Sequence, residues 1–165
     1  MKSQLSVDFV VTMVIFITFA SYLSLQVLYT KPFYINFIKN ERLKSELYQL
    51  SEVLINDPGY PENWEFLDLN AVNRMGLNGG KINLISQQKV IKFNETCVNN
   101  YTEVKKKLGV EGYDFSIYLS DKGGKKWIDC VRLTNRPRLN LTRIVSIKVG
   151  STTTYGRLTL EMWET

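Results

Sequence analysis

Histidine is absent from this chain of 165 residues, and cysteine occurs only twice. The first absence removes the side chain most used as a general base near neutral pH, and with it the commonest metal ligand. The second leaves too few thiols for a four-cysteine zinc site, and Cys97 and Cys130 are not spaced as zinc ligands. Glycine-rich phosphate loops are missing too. Neither G-x-x-x-x-G-K-[ST] nor G-x-G-x-x-G occurs, and Gly79-Gly80 and Gly123-Gly124 read as turn punctuation. No catalytic group, metal or cofactor is expected from this composition, and the protein is expected not to be an enzyme.

Charge is missing from one long stretch. Phe9 to Thr30 holds no Asp, Glu, Lys or Arg over 22 residues. As helix this run covers roughly 33 Å, enough for a hydrocarbon core of about 30 Å. A secretory signal has a shorter apolar region of about 7 to 15 residues, closed by a small-x-small cleavage site. Here Tyr22, Leu23, Leu25, Val27 and Leu28 carry the apolar pattern through the Ala20-Ser21 step, so the run predicts a membrane span. One acid, Asp8, stands immediately before it. A carboxylate in a membrane helix costs on the order of 2.5 to 3.5 kcal/mol at mid-bilayer, less near the interface, which makes Asp8 a candidate functional residue. The plainer alternative is an acid in the headgroup layer, at the positive end of the helix dipole.

The segment Lys2-Ser3-Gln4-Leu5-Ser6-Val7-Asp8-Phe9 resembles the class III signal of archaeal type IV pilin-like proteins: a basic residue, a small residue, then Q-x-S-x-E. Ser3 stands where that family more often has Gly or Ala, Asp8 where it has Glu, and Thr12 where it has Leu. The resemblance implies that a prepilin peptidase recognises Lys2, Ser3 and Gln4 and cuts before Gln4, so that residues 1–3 are a leader. It implies that Asp8 offsets the new amino terminus of Gln4 in a neighbouring subunit, setting register, because opposite desolvated charges penalise slipped arrangements. Phe9, Val10, Val14, Phe16, Ile17, Phe19, Tyr22 and Leu25 would then pack the filament core. The implied partners are the peptidase, other pilin subunits, the pilus assembly machinery and the membrane. The implied location is the cell membrane for the precursor and a surface filament afterwards, with the head outside. Pro58-Gly59-Tyr60-Pro61-Glu62-Asn63-Trp64, Arg74-Met75-Gly76-Leu77 and the closing strand to Trp163 are similar, more loosely, to segments of the same proteins.

Beyond the span, Leu43, Leu47, Leu50 and Leu54 form an apolar stripe among Glu41, Arg42, Lys44, Glu46, Gln49 and Glu52. This predicts an amphipathic continuation over 31–56 that carries a head on its leucine face. Pro32 predicts a kink or a break, and Asp57-Pro58 an end. The head, 57–165, reads mostly as antiparallel sheet. Lys81 to Phe93 contains two short apolar runs read as strands, Tyr113–Leu119 and Trp127–Leu133 flank a tight Asp121–Gly124 turn, and Arg143–Val149 pairs with Tyr155–Trp163. Asn100–Leu108 predicts a short helix stopped by Gly109. Helices 4–30 and 31–56 with this sheet make an α+β protein.

The net charge of +5 is spread among acids except at Lys105–Lys107, Lys122/Lys125/Lys126 and Arg132/Arg136/Arg138/Arg143, which read as solvated faces. A nucleic acid or acidic glycan stacked on Trp127 or Tyr101 is the alternative, and no nucleic-acid motif supports it. Cys97 and Cys130 are either a disulfide, as an extracellular pair would be, or free buried thiols. Sequons stand at Asn94, Asn100 and Asn140, near expected loops. The positive-inside rule, applied to Lys31, Lys39, Arg42 and Lys44 against Lys2, would keep the head in the cytoplasm. The pilin resemblance implies translocation by dedicated machinery and sets the expectation. A single-pass protein whose head binds a partner and never polymerises is the second reading.

Overall fold

Helix α1 runs from Gln4 to Asn56 without interruption. The structure, a computed structural model, describes residues 4–165, with side chains described from Val7 onward. The break expected at Pro32 does not occur: Pro32 lies inside the helix. Proline removes one N–H from the ladder, and the helix continues through that loss to Asn56. Hydroxyls along the helix bond back to its own carbonyls, Thr12 to Asp8, Thr18 to Val14, Ser24 to Ala20 and Thr30 to Gln26. The end falls at Asn56, as Asp57-Pro58 predicts. The chain forms two compact units, residues up to Arg42 and Leu43–Thr165.

In the second unit, two 3-10 turns, Trp64–Phe66 and Leu69–Ala71, precede strands β1 (Asn78–Lys81) and β2 (Leu84–Ser86). Helices α2 (Gln87–Asn99) and α3 (Tyr101–Leu108) follow, then β3 (Tyr113–Asp121), β4 (Lys126–Cys130), β5 (Leu139–Val149) and β6 (Thr152–Glu164). The six strands form one sheet in the order β1-β2-β5-β6-β3-β4. Every pairing is antiparallel except β2 with β5, which is parallel, so the α+β class holds and the sheet is mixed. Lys81 to Phe93 is only partly strand, since α2 starts at Gln87, and β4 stops at Cys130 rather than Leu133. Gly109 ends α3 in the left-handed conformation, as expected.

Leu43, Leu47, Leu50 and Leu54 are buried together with Ile55 in one core shared with the sheet. Its inner face supplies Phe115, Ile117, Leu119, Val145, Ile147, Leu158, Leu160 and Met162, and α2 and α3 add Val90, Phe93, Val104 and Leu108. Arg143 reaches from β5 to Ser51 and Glu52 of α1.

The two sequence segments singled out after the helix meet each other. Tyr60 and Arg74 form an isolated bridge, with Tyr60 N–H donating to the Arg74 carbonyl at 2.8 Å. Trp64 is buried and donates its indole N–H to the Gly76 carbonyl at 2.9 Å. A side chain at Gly59 would collide with the Trp64 ring, and one at Gly76 with the Asp57 carbonyl. Both positions therefore require glycine. The unpaired carbonyls at the end of α1 are taken up by this return segment: Leu77 N–H donates to Leu54 at 2.8 Å and the Asn78 amide to Ile55 at 3.3 Å. Lys89 pins the arrangement from α2, its buried ammonium donating to the Pro58 carbonyl at 2.7 Å and to Asn78 at 3.3 Å. Burial holds the Lys89 pKa below its ordinary value, against the opposing pull of Glu65, Glu62 and Asp57.

Candidate assembly surface

Phe9, Val10, Val14, Phe16, Ile17, Phe19, Tyr22 and Leu25 are all exposed on α1, Phe16 to 70 %. At about 3.6 residues per turn these positions go round the whole helix rather than lining one stripe. A helix that is apolar all round belongs inside lipid or protein. This helix is long and apolar enough to cross a membrane. Several of its polar groups suit such surroundings, because the Thr12, Thr18, Ser24 and Thr30 hydroxyls are spent on the helix backbone and Gln26 donates to the Tyr22 hydroxyl at 2.9 Å.

Asp8 is exposed in the helix, and among the described residues its carboxylate has no ion-pair partner. The nearest basic residue further along the helix is Lys31, about 35 Å away at 1.5 Å per residue. Lys2, Ser3 and the side chain of Gln4, the expected recognition and register groups, lie outside the described residues.

The apolar surface continues past the expected span. Phe33, Tyr34, Ile35, Phe37 and Ile38 are all more than half exposed. From Phe9 to Ile38 the exposed apolar helix is roughly 45 Å long, against a hydrocarbon core of about 30 Å. The expected span ends at Thr30 because Lys31-Pro32 interrupts the uncharged run. The signal was present as an apolar run held between Lys31 and Lys39.

In the head, Cys97 and Cys130 are joined in a disulfide that ties α2 to β4. Asn94 lies in the middle of α2, not in a loop, and its amide oxygen accepts the Asp129 N–H of β4 at 2.8 Å. Asn140 is exposed on β5, opposite Glu161. Asn100 is exposed at the junction of α2 and α3, with a backbone outside the helical region.

Neither aromatic ring suggested for stacking is available. Trp127 is buried beneath Lys125, which lies 4.0 Å from its ring centroid, and its indole donates to Asp121. Tyr101 is buried beneath Arg132 and Lys105, its hydroxyl donating to the Phe115 carbonyl and accepting the Phe115 N–H at 2.8 Å. Burial pushes its pKa up to about 12. These two rings are core supports rather than stacking platforms.

A cleft of about 130 Å³ opens between the Trp64–Met75 segment and α2. Its floor is Trp64, Leu69, Val72 and Met75, and its rim includes Asp68, Lys92, Glu95, Asn99 and Asn100. Among the described residues no group of three or more Cys, Asp or Glu side chains is placed to hold a metal ion.

An apolar amino-terminal helix followed by a sheet-bearing head is the general layout of pilin-like proteins. Comparison of the chain with protein-family models, curated proteins and solved structures gives no match.

Proposed function

We propose that the protein is a structural subunit, of the minor or specialised kind, of an archaeal type IV pilus-like surface filament. In this reading a prepilin peptidase removes 1–3, the mature chain starts at Gln4, and the assembly machinery draws the helix out of the membrane into a bundle of identical or related helices. The observation that carries it is the length and all-round character of the exposed apolar surface of α1, preceded by a lone acid.

The physical case concerns what can cover that surface. Each large apolar side chain gains about 1.5 to 3 kcal/mol when removed from water, so a helix leaving lipid must find another apolar environment. Neighbouring helices supply it, and they also cover Phe33 to Ile38, which a bilayer of ordinary thickness cannot reach together with Phe9. Asp8 then needs a positive partner in a dry setting. The amino terminus created at Gln4 of a neighbour provides one, and an unpaired acid would oppose any slipped register. The head stands outside the membrane, where the Cys97–Cys130 disulfide is stable.

The test is the amino terminus of the mature protein. Edman or intact-mass analysis of protein isolated from native cells gives Gln4 as first residue if this reading holds. Retention of Met1-Lys2-Ser3 on the membrane-bound protein removes it and leaves a single-pass anchor whose head binds a partner.

A further inference from the structure

We propose that Asn100 carries an N-linked glycan and that the cleft beside Trp64 seats its first sugar. The structure separates the three sequons by what their side chains already do. In Asn94-Glu95-Thr96 the amide accepts the Asp129 N–H at 2.8 Å and the Thr96 hydroxyl donates to the Lys92 carbonyl at 2.8 Å. In Asn140-Leu141-Thr142 the Thr142 hydroxyl shares a hydrogen bond with Thr159 at 3.2 Å, inside the β5–β6 ladder. In Asn100-Tyr101-Thr102 both side chains are exposed, and neither makes a hydrogen bond among the described residues. Asn100 also sits where the backbone leaves one helix before starting the next, at φ −133° and ψ 49°. Attachment there displaces no existing contact.

The cleft supplies the second half of the inference, because Asn100 is one of its walls. Its floor is apolar and its rim carries donors and acceptors. Asp68 caps no helix N–H, so its carboxylate remains available. A pyranose has the complementary character: a C–H face for the half-buried Leu67 and Leu69, and hydroxyl edges for Asp68, Lys92 and Asn99. At about 130 Å³ the cleft is well below the roughly 300 to 1,000 Å³ of drug-sized pockets, so it takes a single ring rather than an oligosaccharide.

The covalent step joins Asn100 Nδ2 to C1 of a sugar supplied as a lipid-phosphate ester. The N–C1 bond forms as the C1–O bond to phosphate breaks, the phosphate leaves with the bonding electrons, and the amide gives up one proton. The inference rests on the head standing outside the membrane, as the proposed function has it.

The experiment uses full-length protein from native cells, with glycopeptide mass spectrometry and thiol labelling on one sample. The expected result is a sugar mass on Asn100, none on Asn94 or Asn140, and loss of the modification in Asn100→Gln. Removing the glycan should lower the Tm of the otherwise native protein by several degrees, and by much less in Leu69→Ala. Unmodified Asn100 with an intact Cys97–Cys130 disulfide overturns the inference and leaves the external head standing. Unmodified Asn100 with free thiols overturns both. A glycan whose removal shifts Tm equally in both backgrounds overturns its seat in the cleft.

Discussion

Arg143 Nη1 of β5 lies 2.7 Å from Glu52 Oε1 of α1, while a second hydrogen bond from the same nitrogen reaches Ser51 at 3.1 Å. The pair joins the amphipathic end of the helix to a central strand. It holds the Glu52 carboxyl below its ordinary pKa, first through the Arg143 hydrogen bond and then through Asn56.

The sign of the resulting pH dependence follows from that lowered value. A carboxylate with a depressed folded pKa contributes stability above its unfolded pKa, and the contribution fades as pH falls through the folded value. Arg143→Met and Glu52→Gln should each cost about 0.5 to 1.5 kcal/mol at pH 7, modest because the pair is partly open to water. The difference in Tm between native protein and Glu52→Gln should close as pH drops below the ordinary value near 4.5. A gap that stays constant from pH 7 to pH 3 would remove the carboxylate from this role.

Gly76 faces the Asp57 carbonyl too closely for any side chain. Gly76→Ala should therefore cost more than the helix-capping hydrogen bonds it disturbs, about 2 to 4 kcal/mol, because it also parts the Trp64 indole from its acceptor. Chemical denaturation in detergent checks this. Gly112→Ala, with open space around it, is the control and should be nearly silent.

Opening the disulfide should cost about 3 to 4 kcal/mol by chain entropy for a loop of 33 residues. A Cys97→Ala/Cys130→Ala protein should lose that much in denaturant titrations. Hydrogen exchange should rise first along β4 and the facing turns of α2, which the bridge ties together.

For the helix, Asp8→Asn should leave cleavage before Gln4 intact while lowering incorporation into filaments at least tenfold, measured by immunoblot of sheared filaments. Normal incorporation would show that register is set elsewhere. Phe37→Glu should likewise be processed normally and assemble poorly, because Phe37 is exposed to 55 % and a bilayer that covers Phe9 does not reach it. A bitopic anchor would tolerate that change.

Much of the fold is written locally, and the remainder is not, for identifiable reasons. Leu43, Leu47, Leu50 and Leu54 recur at helical spacing and are the residues the helix buries. The β3–β4 hairpin shows because Asp121 accepts from the Gly123 and Lys125 N–H groups, a turn chemistry readable in Asp121-Lys122-Gly123-Gly124. Helix α2 was hidden because exposed Ile91 and Val98 blur the stripe formed by Val90, Phe93 and Cys97. Buried Lys89 looks polar in the sequence yet is satisfied only by two distant carbonyls. The parallel β2–β5 pairing and the cleft beside Trp64 arise between segments far apart in the chain, so no local pattern announces them.

Asn94 gives its amide oxygen to the Asp129 N–H of β4, the last strand of the sheet, and α2 lies along that strand. An open strand edge is an invitation to join copies at any time and in any compartment. Here one edge is stoppered by a side chain and the other, β1, is only four residues long. Heads built this way offer each other little open strand edge. In the proposed filament, the timing of polymerisation would then rest with the release of the helix and not with the sheet.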